Sequence, residues 1–245
     1  YNEKVISVKA HFDDEEVANI MDKYDLIVLP VIDDLSRLIG RITIDDVVDV
    51  MKEEAMEDYN KASGILEQVD SSDNITTLTR ARLPWLLIGL MGGIMGAEVI
   101  GIFDIKKNIE LAFFTPLIAA MGGNVGIQSA AIIVQGLASN SLGMDSLSQR
   151  LIKELGVALL NGIICSGLIL IITYLIGYTS SISFTVSISL MAVIIFAALF
   201  GTFVPLVLDK YKIDPALATG PFITTINDVL GLFIYFMIAK LFLNL

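Results

Sequence analysis

One acidic side chain lies deep in a long apolar stretch, where packing alone does not explain it. Asp228 follows Thr224 by one helical turn in an apolar stretch over residues 214–245, with no basic residue nearby. Counting from Pro215 at 1.5 Å per residue places Asp228 about 20 Å along a helix. An ionised aspartate in the bilayer centre costs at least about 2.5 kcal/mol, so it needs a partner or water. A passing cation is such a partner, which makes Asp228 the first candidate for an ion site.

A second polar motif interrupts the apolar stretch over residues 111–139, where residues 122–128 read GGNVGIQ. Gly122 and Gly126 are four residues apart, so they share one helix face and permit close backbone approach. Asn124 and Gln128 share a second face for the same reason. This pattern has two interpretations. It fits a helix-packing interface with interhelical hydrogen bonds. It also fits an exposed stretch of backbone, because paired glycines weaken a helix and can expose carbonyl oxygens to a water-lined path.

An acidic stripe precedes the apolar part of the chain. Asp46, Asp49, Glu53 and Glu57 fall within about 80° of arc on a helix that begins at Ile44. Like charges at this spacing repel each other, and divalent cations would relieve the repulsion because they prefer carboxylate oxygens. The stripe is either a solvated helix face or a cation sensor.

The elements that must position these residues are mostly membrane helices. The chain is 55% hydrophobic and 18% charged, with a mean hydropathy of +0.74, whereas soluble domains are about 45–50% apolar and about 25% charged. Five stretches are long enough to cross a bilayer, which takes about 20 residues. They cover residues 83–103, 111–139, 151–177, 182–208 and 214–245. We therefore predict a five-helix, multi-pass α-helical membrane domain.

The charge is concentrated in the first third of the chain. Residues 1–80 contain 19 of the 27 acidic and 8 of the 16 basic residues, so the whole net charge of −11 lies there. This uneven charge predicts a domain boundary near residues 71–82. We expect no binding of nucleic acid, because an acidic domain repels phosphates. Basic residues near span ends favour a cytosolic N-terminus. Six basic residues would lie on the cytosolic side of the membrane: Arg80, Arg82, Arg150, Lys153, Lys210 and Lys212. Two, Lys106 and Lys107, would lie on the opposite side.

Residues 1–60 are typical of a small α/β module. We predict strands at residues 5–8, 26–31 and 38–43, a helix at 13–24, a turn at 33–36 and a helix from Ile44 onward. The chain begins at Tyr1 rather than methionine, and we expect that the true N-terminus is missing.

These motifs resemble those of the MgtE-type magnesium transporters. The GGNVGIQ motif, Asp214-Pro215-Ala216 and the downstream Thr224 and Asp228 carry the resemblance in the membrane part. Residues 24–31 and 40–46 are similar to a cystathionine-β-synthase-type (CBS) repeat, and residues 53–58 resemble the connecting or plug helix of the family. The resemblance implies a partial CBS domain over residues 1–44, a connecting helix and linker over 45–80, and a pore domain over 81–245. This sequence shows no counterpart of the family's N-terminal helical domain or of its first CBS repeat.

The resemblance also implies how such a chain works. It implies a homodimer in the cell (inner) membrane, with a pore between the second and fifth helices that passes Mg²⁺ and possible rivals such as Mn²⁺, Co²⁺ or Ni²⁺. Pore residues would be Asp228, Asn124, Thr224, Gly123 and Gln128. Cytosolic Mg²⁺ would close the pore by binding Asp13, Glu15, Asp25, Asp46, Asp49, Glu54, Glu57 and Asp58. ATP would contact Gly40, Thr43 and Asp46, and no enzymatic activity is expected.

Three alternatives remain open from the sequence. One is an exchanger that couples Mg²⁺ to Na⁺ or H⁺, in which Asp228 would serve equally well. Another is an intramembrane aspartyl protease, which needs two carboxylates sharing a proton, whereas only Asp228 is deep. The last is a nucleotide sensor on a membrane anchor, for which five spans with a deep acid are more than anchoring requires.

Overall fold

A computed structural model describes residues 5–103, 105–138 and 146–243, without the side chains of residues 105–107 and 218. Two compact units make up the chain, Tyr1–Asn60 and Lys61–Leu245. Two sets of predicted features lie outside the described residues. They are the side chains of Lys106 and Lys107, which were expected on the non-cytosolic side, and the predicted span ends at 139 and 245.

The first unit is a small α/β module. Its elements are β1 (Val8–Lys9), α1 (Asp14–Lys23), β2 (Val28–Ile32), β3 (Leu38–Thr43) and the long helix α2 (Ile44–Ala62). The strands form one sheet in the order β1-β2-β3, with β1 parallel and β3 antiparallel to β2. Its core comprises apolar side chains from both helices and the sheet, among them Val17, Met21, Leu29 and Val47.

Local signals explain why most of these elements lie where they were predicted. Asp13 precedes α1 and accepts a hydrogen bond from the backbone N–H of Asp14, as an N-cap does. Asp33 accepts hydrogen bonds from the backbone N–H groups of Leu35 (2.9 Å) and Arg37 (2.8 Å), which closes the predicted turn. The prediction of β1 at residues 5–8 was wrong in its bounds. Only Val8 and Lys9 pair with β2.

The second unit contains five helices that are long and apolar enough to span a membrane. They are α3 (Ile75–Ile102), α4 (Thr115–Ala138), α5 (Leu147–Ile176), α6 (Ser180–Lys210) and α7 (Pro221–Leu243), with a 3-10 segment at Ile105–Phe114 ahead of α4. Helix α6 is the most buried of the five spans and packs against α4, α5 and α7. The predicted multi-pass α-helical membrane domain is confirmed.

The fifth span begins later than predicted. Residues 214–220 do not extend α7, because Pro215–Ala218 forms a separate 3-10 turn and Gly220 adopts a left-handed φ of +53°. Pro221 then occupies the first helical position, where its missing N–H costs nothing. Asp228 is therefore seven residues, or about 10 Å, into its helix rather than about 20 Å.

Candidate ion site on the last membrane helix

Gly123, Thr224 and Asp228 meet where α4 crosses α7. A Cβ atom at position 123 would lie 2.8 Å from Cγ2 of Thr224 and 3.5 Å from Oδ1 of Asp228. A separation below 3.0 Å is tighter than real Cβ contacts, so any larger residue at position 123 would force Thr224 to shift. Three of the five predicted pore residues are thus brought together within one chain.

Asp228 borders a groove of about 1150 Å³ whose walls come from α3, α4 and α7. The α3 wall contains four glycines, Gly89, Gly92, Gly93 and Gly96. The space beside Gly89 and Gly93 is open, whereas Gly92 and Gly96 pack against α7. The carboxylate is half-buried, and within the described residues it makes neither a hydrogen bond nor an ion pair. An unpaired carboxylate in such a position is a candidate ligand for a cation or its hydration water.

Thr224 lies one turn before Asp228 and uses its hydroxyl proton locally. Its Oγ1 donates to the carbonyl oxygen of Gly220 at 2.6 Å. The lone pairs of Oγ1 remain available to accept a hydrogen bond or to contact a cation. The hydroxyl therefore presents an oxygen rather than a proton toward the groove that it lines.

Asn227 is a polar residue of this region that the sequence analysis missed. It is fully buried, and neither Oδ1 nor Nδ2 has a hydrogen-bond partner among the described residues. Its side chain fills the space left by Gly126, where a Cβ atom would overlap Nδ2, and it lies beside Gly122. The available signal was an amide next to Asp228 inside an apolar span, which is costly and therefore informative.

Asn124 and Gln128 are not brought to Asp228 within one chain. Both side chains are exposed on α4. Gln128 borders a different cavity, between α4, α5 and α6. Their assignment to the pore remains a prediction that a second chain would have to complete.

The predicted sensor carboxylates are spread over the first unit and the end of α2. Asp46 accepts hydrogen bonds from the backbone N–H (3.2 Å) and Oγ1 (2.8 Å) of Thr43, and Asp49 is ion-paired with Lys52 at 3.2 Å. In the described part of this single chain, no three acidic, histidine or cysteine side chains are grouped closely enough to hold a metal ion. The remaining predicted sensor residues are Asp13, Glu15, Asp25, Glu54, Glu57 and Asp58.

The predicted nucleotide contacts have a local structural role. Thr43 and Asp46 bond to each other across the first turn of α2, as a helix cap does, while the space next to the Cα of Gly40 is open. ATP binding stays a prediction.

Sequence comparisons agree with this arrangement of units. The model of the MgtE family, described as a divalent cation transporter, matches residues 115–238, which include both motifs of the ion site. The chain belongs to this family. A CBS domain model matches residues 1–53, ahead of the family's transport domain.

Three curated relatives share the name magnesium transporter MgtE. The protein from Bacillus subtilis is 36% identical over 243 residues, and those from Thermus thermophilus and Enterococcus faecalis are 37% and 34% identical over 247 and 246 residues. These matches cover 98–99% of this chain but only 54–55% of the relatives. The chain thus spans about half the length of the curated relatives it matches.

Proposed function

We propose that this chain forms the membrane pathway of a magnesium transporter, with Asp228 as its ion-binding residue. The observation that carries the proposal is the half-buried Asp228 carboxylate, which lines a groove and has no partner among the described residues. Its neighbours Gly123 and Thr224 leave room and an oxygen atom beside it. The magnesium transporters that the chain resembles supply the identity of the cation.

The pathway would be completed by a second copy of the chain, with α4 and α7 of each subunit at the dyad. Two Asp228 carboxylates would then neutralise one divalent cation. Mg²⁺ gives up its water reluctantly and usually binds through one or two carboxylates while keeping several waters. The exposed amide of Asn124 would face the same water-filled space, and Mn²⁺, Co²⁺ and Ni²⁺ are the rival ions to test.

The acidic first unit would regulate this pathway from the cytosolic side of the cell membrane. Residues 1–80, which include this unit, carry the whole net charge of the chain, so paired copies repel each other unless cations bind. Cytosolic Mg²⁺ would stabilise the closed arrangement, and a fall in Mg²⁺ would shift the population toward the open one. ATP bound near Gly40 and Thr43 would act on the same unit.

The contacts of Asp214 argue against the aspartyl protease alternative. Asp214 is ion-paired with Lys61 at 2.5 Å and accepts a hydrogen bond from the N–H of Ala216. It is therefore engaged elsewhere and cannot share a proton with Asp228 as the protease mechanism requires.

Magnesium flux into proteoliposomes tests the proposal. Asp228→Asn keeps the shape of the side chain and removes its charge, so we expect it to lose most of the Mg²⁺ flux. Glu98→Gln is the matched control, because Glu98 is an exposed acid of α3 that does not line the groove. Wild-type flux through Asp228→Asn would exclude Asp228 as the ion site.

Two further conditions in the same assay separate the finer parts of the proposal. Titrating Mg²⁺ on the cytosolic side from micromolar to millimolar should inhibit the wild type if the acidic unit is a sensor. Removing Na⁺ and collapsing the proton gradient should leave flux unchanged in a channel and abolish it in a coupled exchanger.

A further inference from the structure

A second polar cavity lies away from the groove that Asp228 lines. It has a volume of about 380 Å³ and is enclosed by α4, α5 and α6. This volume is within the usual range for small-ligand pockets, which begins near 300 Å³. Its polar lining residues are Gln128, Ser129, Gln149, Arg150, Lys153, Glu154, Asn161 and Thr202.

The cavity presents hydrogen-bond acceptors in its buried part. Glu154 accepts a hydrogen bond from Oγ of Ser129 at 2.6 Å, and the other carboxylate lone pairs have no partner among the described residues. Thr202 is only 1% exposed, and its Oγ1 also lacks a partner in the part of the chain that the structure describes. The Thr202 oxygen is closed off from solvent, so the acceptor that a ligand in the cavity can reach is the Glu154 carboxylate.

A positive charge stands beside this acid. Lys153 is adjacent to Glu154 in the chain, lines the same cavity, is exposed, and forms no ion pair with any described residue. The cavity is therefore lined by one acidic side chain, Glu154, and by two basic ones, Arg150 and Lys153, and Lys153 is not ion-paired with Glu154. A ligand with both charges would complement both.

The length of α5 places these charges at the depth of lipid headgroups. Its 30 residues extend about 45 Å, whereas the hydrocarbon core is about 30 Å thick, so roughly five residues at each end lie outside it. Lys153 and Glu154 are the seventh and eighth residues of α5 and so lie at the boundary between hydrocarbon and headgroups. Apolar residues of the cavity wall, including Ile132 and Val157, are exposed on the surface of the chain.

We propose that the cavity between α4, α5 and α6 binds the headgroup of a phospholipid with a primary amine, of the phosphatidylethanolamine type. The ammonium group would donate to the Glu154 carboxylate, and the phosphate would contact Lys153. A phosphatidylcholine headgroup carries the same charges but has no N–H to donate. A purely anionic headgroup could contact Lys153 and Arg150, but it would leave the Glu154 carboxylate without a cation. The proposal does not depend on the role of Asp228.

Native mass spectrometry of the purified chain tests this proposal, with ethanolamine, choline and glycerol phospholipids that have identical acyl chains. We expect the wild type to bind the ethanolamine lipid about tenfold more tightly than the choline lipid, because charge-assisted hydrogen bonds distinguish them. Glu154→Gln should remove this difference. Lys153→Gln should weaken both lipids about fivefold and leave their ratio unchanged, since both carry the phosphate.

Two variants separate binding from folding. Thr202→Val keeps the shape of a fully buried side chain whose oxygen the lipid does not reach, so it should keep the full preference for the ethanolamine lipid. Glu110→Gln, an acid ahead of α4 that does not line the cavity, should keep the full preference. Each variant should elute and melt as the wild type does.

Three outcomes would overturn the proposal. Equal binding of ethanolamine and choline lipids by the wild type would show that the cavity does not recognise the amine. Tighter, Lys153-dependent binding of the glycerol lipid would indicate a site for anionic lipids. Stabilisation by Na⁺ or K⁺ that requires Glu154, without any headgroup preference, would indicate a small-cation site.

Discussion

Gly123 of α4 lies directly against Asp228 of α7, such that a Cβ atom at position 123 would be 3.5 Å from Oδ1 of the carboxylate. The same atom would be 2.8 Å from Cγ2 of Thr224. Because Gly123 has no side chain, Thr224 and Asp228 can lie directly against α4 in the proposed ion site.

We expect Gly123→Ala to lower Mg²⁺ flux about tenfold. The added methyl group must displace Thr224 and narrow the space beside Asp228, and overpacking of this kind costs roughly 1–3 kcal/mol. Flux into proteoliposomes measures the effect. Gly93→Ala is the control, because Gly93 lines the same groove but a Cβ there would meet nothing within 4 Å. Equal flux from the two variants would refute the close contact at Gly123.

The crossing of α3 and α7 leads to a prediction about stability. A Cβ atom on Gly92 would overlap Cγ2 of Thr225, so Gly92→Ala should destabilise the membrane unit by about 1–3 kcal/mol. Adding Thr225→Ser removes that methyl group and should restore most of the loss. Thermal unfolding in detergent measures both steps. Gly89→Ala, where a Cβ has open space, should unfold as the wild type does, and failure of Thr225→Ser to rescue would contradict the assigned contact.

Local signals predicted the first unit better than they predicted the ion site. The turn at Asp33 and the start of α2 at Ile44 depend on side-chain-to-backbone bonds between near neighbours, which residue types reveal. The start of α7 depends on which of two prolines opens the helix. Pro215 and Pro221 both suit a first helical position, and only the left-handed conformation of Gly220 decides for Pro221.

Tertiary partners were harder to predict than helix faces. The spacing of Gly122 and Gly126 predicted close approach, and the structure confirms it, since both glycines lie against Asn227. The spacing did not reveal which helix would approach. The lack of hydrogen-bond partners at Asn227 follows from the way α4 and α7 enclose it, and no pattern within α7 contains that information.

Asn227 leads to a prediction in which transport falls without any loss of stability. An unsatisfied buried amide costs about 1–3 kcal/mol, so Asn227→Leu, which has the same branching, should leave stability unchanged or raise it by that amount. Because such a costly group is retained beside Asp228, we expect the variant to lose Mg²⁺ flux at least severalfold. Thermal unfolding and flux measured on the same preparation check both parts. A variant that is less stable and fully active would contradict the prediction.

The Lys61–Asp214 ion pair leads to the last prediction, about the segment that precedes α7. This pair is 2.5 Å long with side chains 22% and 36% exposed, whereas the Lys52–Asp49 pair is 3.2 Å long with side chains 68% and 76% exposed. A double-mutant cycle with Lys61→Met and Asp214→Asn should give a coupling energy near 1 kcal/mol, because partial burial reduces screening. Asparagine at 214 can still accept the hydrogen bond from Ala216, so the cycle isolates the charge interaction.

The corresponding cycle with Lys52→Met and Asp49→Asn is the control and should give a coupling energy close to zero. Each coupling energy is measured from thermal unfolding of the unit that contains the pair. Equal coupling in both cycles would mean that burial does not strengthen the Lys61–Asp214 pair.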